Sequence, residues 1–113
     1  FFAAAKDGML LVNTARGPIV DLDALFAALK SGKVGGAGID VLPVEPADPK
    51  YPLIAAFHKR EAWLEGRLIL TPHAAFFSPS ALDDMQRKAI EVCVNYLRDG
   101  ELMNCVNREY LRK

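Results

Sequence analysis

The sequence predicts an α/β fold, in the form of one half of a doubly wound sheet of parallel strands. Three short apolar runs without polar alternation are typical of strands that are covered on both faces, as in parallel sheets. Two segments carry apolar residues at helical spacing, one between the first two runs and one after the third. The order strand, helix, strand, connection, strand, helix is that of a sheet built with crossover helices. The three runs are residues 9–13, 37–41 and 67–71.

The first part of the chain predicts a strand, a helix and a second strand. Residues 1–8 resemble the end of a helix, because alanines precede a lysine and Gly8 can adopt a left-handed stop. Asp21 is a candidate N-cap for the helix that follows, and Gly32 ends that helix. Its apolar residues fall at i, i+3, i+4 and i+7, namely Leu22, Leu25, Phe26 and Leu29. The strand at 9–13, this helix and the strand at 37–41 together predict one right-handed βαβ unit.

The second part predicts a long connection, a third strand and a long helix. Residues 42–67 contain four prolines and predict a surface connection, with one or two exposed helical turns within 57–66. Ser78 is a candidate N-cap with Pro79 at the first helical position, and the helix runs to about Arg98 before Gly100. The tail from 101 to 113 either docks as a final strand or hangs free. We therefore expect a sheet unit over 1–77 and a helix with its tail over 78–113.

Composition excludes several classes of function. The 113 residues carry 14 basic and 14 acidic side chains without a basic stripe, so we expect no nucleic-acid partner. No apolar run approaches the roughly 18 residues that cross a bilayer, so we expect no membrane span. Cys93 and Cys105 lack the spacing of a zinc site or of a disulfide framework. We expect no metal, and buried free thiols in a reducing, cytoplasmic compartment.

One chemically capable side chain follows each predicted strand: Arg16, Glu45 and His73. The carboxyl ends of parallel strands meet over one crevice, so we expect these residues to converge. An arginine can bind a carboxylate with two parallel hydrogen bonds, and a histidine with a carboxylate partner can move a proton near neutral pH. Each also has a plainer interpretation. Arg16 could form a surface ion pair, Glu45 could be a solvated loop acid, and His73 could be a capping or core histidine.

The sequence contains no G-x-G-x-x-G turn of the kind that grips pyrophosphate at a helix N-terminus. The nearest candidate, with glycines at 32, 35, 36 and 38, leads into a predicted strand instead of opening a helix. Those glycines are interpreted as packing and turn residues.

Four stretches together resemble the D-isomer-specific 2-hydroxyacid dehydrogenases. They are N-T-A-R-G-P-I-V-D at 13–21, G-A-G-I-D-V at 36–41, the Glu45-Pro46 pair, and L-T-P-H-A-A at 70–75. Their order and spacing are similar to those of the family over residues 1 to about 100. The resemblance implies the second half of a Rossmann-like NAD-binding domain.

The resemblance also implies residue roles. Arg16 would bind the substrate carboxylate and carbonyl, His73 would be the acid/base, and Glu45 would support it. The expected cofactor is NAD, with NADP left open, and the substrate is a small 2-hydroxy or 2-oxo acid that exchanges a hydride with the nicotinamide. The residues expected to line the cofactor are Thr14, Ala15, Arg16, Asp40, His73, Ala74, Ala75 and Phe76, with Asp40 on the nicotinamide carboxamide or the adjacent ribose.

The departures from the family set further expectations. The first half of the family's nucleotide domain, with its glycine loop, would precede residue 1, and most of the substrate domain, toward which residues 78–113 would return, is missing too. We therefore expect the isolated chain to bind the cofactor poorly and to be inactive. The resemblance implies a homodimer for the longer protein. His58 matches no family position and is interpreted as a solvated loop residue. A second interpretation stays open, because T-P-H-A-A-F-F-S also resembles the NAD-regulated C-terminal-binding-protein corepressors. A structural remnant without activity is a third.

Overall fold

The computed structural model describes residues 1–111 of the chain. Within it the chain divides into two compact units, one over Phe1–Ala75 and one that begins at Phe76. The first unit contains the sheet and the second contains the long helix. No helix in the described part of the chain combines the length and the apolar character needed to cross a membrane.

Three parallel strands form the sheet of the first unit, in the order β1 (Met9–Asn13), β2 (Val34–Ile39), β3 (Leu68–Leu70). The α/β class with parallel strands is therefore confirmed. The register pairs Asn13 with Ile39 and Ile39 with Leu70, so all three strands end at the same level. The segments after these three residues consequently start side by side at one edge of the sheet.

Helix α1 (Leu22–Lys30) forms where its apolar spacing predicts it. The Asp21 carboxylate accepts hydrogen bonds from the backbone N–H groups of Asp23 and Ala24, which caps the first turn. Leu25 and Leu29 are fully buried, and Gly32 follows the helix with a φ of +81°. The strand after it begins earlier than predicted, at Val34, because the glycines before Ala37 continue the ladder with β1.

The connection between β2 and β3 differs most from the prediction. It contains helix α2 (Pro52–His58) and a 3₁₀ turn (Ala62–Leu64) instead of exposed turns alone. Pro52 occupies the first helical turn, where its missing N–H costs nothing. Leu53 and Ile54 are each only 1% exposed, so α2 belongs to the core and the expectation of a surface connection was wrong.

Helices of the first unit cover one face of the sheet. Helix α1 contacts both β2 and α2, and buried residues of all three share one core cluster. On the opposite face Leu10, Val12 and Ile69 are 76%, 73% and 67% exposed. Within Phe1–Ala75, α1 and α2 thus pack on a single core against one face of the sheet.

The second unit is dominated by helix α3 (Pro79–Asp99). The Ser78 hydroxyl accepts a hydrogen bond from Ala81 N–H, and Gly100 ends the helix in the left-handed conformation, as the sequence predicts. No residue of α3 is buried in this structure. Cys93 is exposed and Cys105 half-buried, so both are free thiols but not the buried ones expected.

The two ends of the chain are less regular than expected. Residues 1–8 hold only a short 3₁₀ turn (Phe2–Ala4) where the end of a helix was expected, although Gly8 does have a φ of +72°. The tail contains a 3₁₀ turn (Arg108–Leu111) and no final strand among the described residues. Residues 112 and 113 lie outside the described part.

Candidate active site

The loop after β1 is shaped by the buried side chain of Asn13. Its Nδ2 donates to the Arg16 carbonyl at 3.0 Å, and its Oδ1 accepts from the Ala15 N–H at 3.1 Å. Asn13 is only 5% exposed, whereas Thr14, Ala15 and Arg16 are exposed. The asparagine thus folds the loop back on itself and presents these three residues at the surface.

The Arg16 guanidinium lies at the surface of this loop. Its Nη1 donates to the Ala15 carbonyl at 2.6 Å. The next residue, Gly17, is buried directly against the segment after β2, because a β-carbon at that position would lie 2.0 Å from the carbonyl carbon of Leu42. This packing sets the Arg16 loop beside the loop that carries Glu45.

Asp40 anchors the loop after β3. Its Oδ1 accepts from the Thr71 hydroxyl and from Ala74 N–H at 2.9 Å, and its Oδ2 accepts from Ala75 N–H at 2.9 Å. Asp40 is only 4% exposed. The hydrogen bond from Thr71, helped by those from Ala75 and Ala74, lowers the pKa of the Asp40 carboxyl. Asp40 is therefore held as a carboxylate that ties β2 to the segment after β3.

His73 has an unusual backbone conformation, with a φ of +54°. Non-glycine residues rarely adopt left-handed values, and those that do cluster at functional sites. The conformation is held by the N–H of His73, which donates to the Asp40 carbonyl at 2.9 Å and to the Thr71 carbonyl at 3.0 Å. These two hydrogen bonds thus fix the backbone position from which the His73 side chain extends.

The side chains of His73 and Glu45 are in contact. Nδ1 of His73 lies 2.8 Å from Oε2 of Glu45, and Oε1 of the same carboxylate accepts from Leu42 N–H at 2.8 Å. The hydrogen bond with His73, followed by that from Leu42, lowers the pKa of Glu45. Because Glu45 is then a carboxylate and can only accept, Nδ1 of His73 is the donor in this contact.

A cavity of about 460 Å³ adjoins this pair. Its lining includes Asp40, Glu45 and His73, together with Ile54, Phe57 and His58 of α2. Arg16 is not among the lining residues. The structure therefore brings Asp40, Glu45 and His73 together, and it sets the Arg16 loop beside them through Gly17.

The remaining residues expected to line a cofactor lie on two exposed segments. Thr14 and Ala15 follow β1, while Ala74 and Ala75 follow His73 and are fixed through their N–H groups by Asp40. Phe76 is the first residue of the second unit, is 50% exposed, and has its ring edge-to-face with that of Phe77. No cluster of three metal-binding side chains occurs within residues 1–111.

Three contributors to the site were not predicted from the sequence. Asn13 shapes the Arg16 loop and Thr71 binds Asp40, and both are small polar residues at a strand end, which is the signal that could have identified them. His58 was interpreted as a solvated loop residue. It is exposed, but it ends α2 and lines the cavity beside His73.

Comparison with known proteins gives a consistent result. Residues 1–75 match the family profile described as "D-isomer specific 2-hydroxyacid dehydrogenase, NAD binding domain". The chain is 38% identical over 105 residues to a D-3-phosphoglycerate dehydrogenase of Haemophilus influenzae, covering 93% of this chain and 24% of that protein. It is 39% identical over 101 residues to a D-lactate dehydrogenase of Treponema pallidum, covering 85% of this chain and 30% of that protein.

Solved structures show the same likeness. A glyoxylate reductase from Paecilomyes thermophila superposes with a TM-score of 0.77 at 31% identity, over 96% of this chain and 30% of that one. A D-isomer specific 2-hydroxyacid dehydrogenase from Xanthobacter autotrophicus Py2, in complex with NADPH and MES, superposes with a TM-score of 0.65 at 32% identity, over 96% of this chain and 40% of that one. The chain thus spans 24% to 40% of the length of these four relatives.

Proposed function

Because this chain belongs to the D-isomer specific 2-hydroxyacid dehydrogenase family, we propose that it serves in a longer oxidoreductase that moves a hydride between a nicotinamide and a small 2-hydroxy or 2-oxo acid. The observation that carries the proposal is the 2.8 Å contact between Nδ1 of His73 and Glu45 at the end of the sheet. An imidazole oriented by a carboxylate is suited to pass a proton to and from a substrate oxygen.

His73 is the proposed acid and base. During reduction its protonated Nε2 donates to the 2-oxo oxygen, and during oxidation the neutral Nε2 accepts the hydroxyl proton. Glu45 holds the ring through Nδ1, and its carboxylate stabilises the imidazolium. The hydrogen bond from Leu42 N–H holds Glu45 in turn. We assign Glu45 a positioning role rather than direct contact with the substrate.

Arg16 is the proposed anchor for the substrate carboxylate. A guanidinium presents two parallel donors to a carboxylate, which a lysine cannot do. Because Arg16 is exposed, its guanidinium can give up its hydrogen bond to the Ala15 carbonyl and bind a substrate carboxylate instead. A positive charge there would also stabilise the negative charge that develops on the substrate oxygen.

The residues of this chain fit the nicotinamide end of the cofactor. Thr14, Ala15, Ala74 and Ala75 are small residues on exposed segments at the strand ends, and they leave room for a flat ring. Among the described residues Asp40 Oδ2 accepts one hydrogen bond, from Ala75 N–H, so it keeps capacity to accept a second from a carboxamide or a ribose hydroxyl. Phe76 is also proposed to contact the cofactor. When bound, the nicotinamide supplies or accepts the hydride.

The cofactor is NAD or NADP. The matching family domain is an NAD-binding one, and the Xanthobacter relative was crystallised with NADPH. We further propose a cytoplasmic, homodimeric protein, for which the free thiols Cys93 and Cys105 fit a reducing compartment and the dimer rests on family resemblance. The relatives named above are dehydrogenases and a reductase, so they give no support to the corepressor interpretation.

The proposal is tested by assaying the full-length protein that carries this chain. Consumption of NADH or NADPH is followed at 340 nm with a panel of 2-oxo acids, and the isolated 113-residue chain is assayed in parallel. We expect turnover by the full-length protein and none by the isolated chain, which has no G-x-G-x-x-G turn to hold a pyrophosphate. Absence of turnover with every 2-oxo acid, by a folded full-length protein that binds the cofactor, would refute the proposal.

A further inference from the structure

Thr71 carries a hydroxyl whose hydrogen-bond partner is a side chain of the candidate active site. The residue directly follows β3, and its backbone N–H donates to the Ile39 carbonyl at 3.0 Å, which continues the pairing of β3 with β2. The hydroxyl donates separately to Oδ1 of Asp40. The sheet therefore sets the position of Thr71, and its hydroxyl is directed to the Asp40 carboxylate.

The Asp40 carboxylate receives hydrogen bonds from two parts of the first unit. The Thr71 hydroxyl donates from the end of the sheet, whereas the N–H groups of Ala74 and Ala75 belong to the segment after His73. Oδ1 accepts from both Thr71 and Ala74, and Oδ2 accepts from Ala75. The carboxylate thus joins the sheet to the segment after His73, with the Thr71 hydroxyl as a donor on the sheet side.

The Thr71 hydroxyl also favours the ionised form of Asp40. Its hydrogen bond is the largest of the effects that lower the pKa of the Asp40 carboxyl, ahead of the bonds from Ala75 and Ala74, while burial acts in the opposite direction. The charge of His73 lowers this pKa further. A protonated carboxyl would place an O–H opposite one of the three donors. Loss of the hydroxyl should therefore loosen the attachment of residues 73–75 to the sheet.

We infer that Thr71 is a positioning residue, whose hydroxyl orients the Asp40 carboxylate so that this carboxylate fixes the segment carrying His73. The inference rests on the proposed function, in which His73 exchanges a proton with the substrate oxygen. The His73 N–H donates to the carbonyls of Asp40 and Thr71, so its backbone position follows theirs. A displacement of about 1 Å in a catalytic group can cost about 10²-fold in rate.

Two substitutions at position 71 separate the hydroxyl from the shape of the side chain. Thr71→Val keeps the branched shape and removes the donor, whereas Thr71→Ser keeps the donor and removes a methyl group. In the full-length protein at saturating cofactor, we expect Thr71→Val to lower kcat for 2-oxo acid reduction by about 10–100-fold. KM for the 2-oxo acid should stay within about twofold, because the proposed anchor Arg16 lies on the loop after β1. Thr71→Ser should restore kcat to within about threefold of the wild type.

Hydrogen exchange gives a second readout that does not depend on turnover. The N–H groups of Ala74 and Ala75 should exchange roughly 2–12-fold faster in Thr71→Val than in the wild type, the factor for the loss of one hydrogen bond. Rapid-quench exchange of peptides covering residues 72–77, read by mass spectrometry, measures this rate. Ser31→Ala removes a hydroxyl at the carboxyl end of α1 and is the control, which should change neither this exchange nor kcat.

The results distinguish failure of the inference from failure of the proposed function. If Thr71→Val keeps the kcat of the wild type, or if Thr71→Ser loses as much kcat as Thr71→Val, the hydroxyl does not position His73 and the inference is overturned. Lower kcat without faster exchange at Ala74 and Ala75 also overturns it. If even the wild type reduces no 2-oxo acid, the proposed function fails and the positioning role fails with it, whatever the exchange shows about the contact. Thr71→Ala carries the same test should circular dichroism show that Thr71→Val does not fold.

Discussion

Gly17 packs so closely on Leu42 that a β-carbon at position 17 would lie 2.0 Å from the Leu42 carbonyl carbon and 2.1 Å from its oxygen. Only a glycine fits between the loop that carries Arg16 and the loop that carries Glu45. Since the obstructing atoms are backbone, no rotation of a side chain relieves the overlap.

Gly17→Ala should therefore push the two loops apart. We expect a loss of about 1–3 kcal/mol in the free energy of unfolding, the usual range for overpacking. We also expect kcat/KM to fall by more than the decrease in the folded fraction of the protein explains. Gly38→Ala is the matched control, since its β-carbon would meet Val12 at an ordinary 3.8 Å. Equal behaviour of the two variants in urea denaturation and in steady-state assays would contradict the packing argument.

His73→Ala should remove the acid/base from the full-length enzyme. We expect kcat to fall by roughly 10²–10⁴-fold, the usual contribution of a positioned acid/base group. The exposed position of the side chain means that the fold should survive, which circular dichroism can verify. Turnover that persists in a folded His73→Ala protein would require a different residue for proton transfer.

Arg16→Lys should weaken capture of the 2-oxo acid while keeping a positive charge. The loss of one charge-assisted hydrogen bond of roughly 1.5–3 kcal/mol corresponds to a fall in kcat/KM of about 10–150-fold. We expect most of it in KM, since orientation of the carboxylate is what the guanidinium adds. Arg60→Lys changes an exposed arginine of the same unit and is the control. Identical kinetics for the two variants would show that Arg16 does not bind the substrate.

The local elements of this fold could be predicted because their signals are local. Asp21 and Ser78 cap α1 and α3 through bonds to residues two or three positions away, and the run 9–13 becomes β1 with the predicted bounds. Helix α2 was missed because the prolines before it indicate a loop, although Pro52 sits where a helix tolerates proline. Its burial depends on contacts with α1, which sequence spacing does not encode.

The site was predictable to a similar extent. Parallel strands end at one edge, so a contact between Glu45 and His73 across 28 positions follows from topology. The hydrogen bonds from Ala74 and Ala75 to Asp40 span 34 and 35 positions and join backbone donors, which any residue type could supply. No sequence pattern distinguishes such donors, so the anchoring of the His73 loop became visible only in three dimensions.

Arg67 joins the start of β3 to three earlier segments. Its guanidinium donates to the carbonyl oxygens of Leu29 at 2.8 Å, Val34 at 2.7 Å and Gly35 at 2.8 Å, and also to that of Trp63 at 3.0 Å. Arg67→Met would fill a similar volume but leave these carbonyls, among them those of the fully buried Leu29 and Val34, without their donor. We expect the free energy of unfolding to fall by about 1–3 kcal/mol in urea denaturation. An effect no larger than that of Arg60→Met, at an exposed position, would contradict this role.

Asp40→Asn tests the anchor of the His73 loop through its dependence on pH. An asparagine amide would place an NH₂ group opposite a backbone N–H of Ala74 or Ala75, so donor would face donor. The pKa of Asp40 is held below its ordinary 3.8 in the folded protein by the bond from Thr71 and those from Ala75 and Ala74. The unfolded chain therefore takes up the proton first as pH falls, and the stabilisation is lost on the acid side.

The wild-type protein should accordingly have a higher Tm than Asp40→Asn at pH 7. The difference should stay constant down to the ordinary aspartate pKa of 3.8 and shrink as pH falls further through the lowered folded value. Thermal unfolding followed by circular dichroism between pH 7 and pH 3 measures it, with the exposed Asp83→Asn as the control. A Tm difference between wild type and Asp40→Asn that grew on acidification would show that the Asp40 carboxylate does not hold this loop.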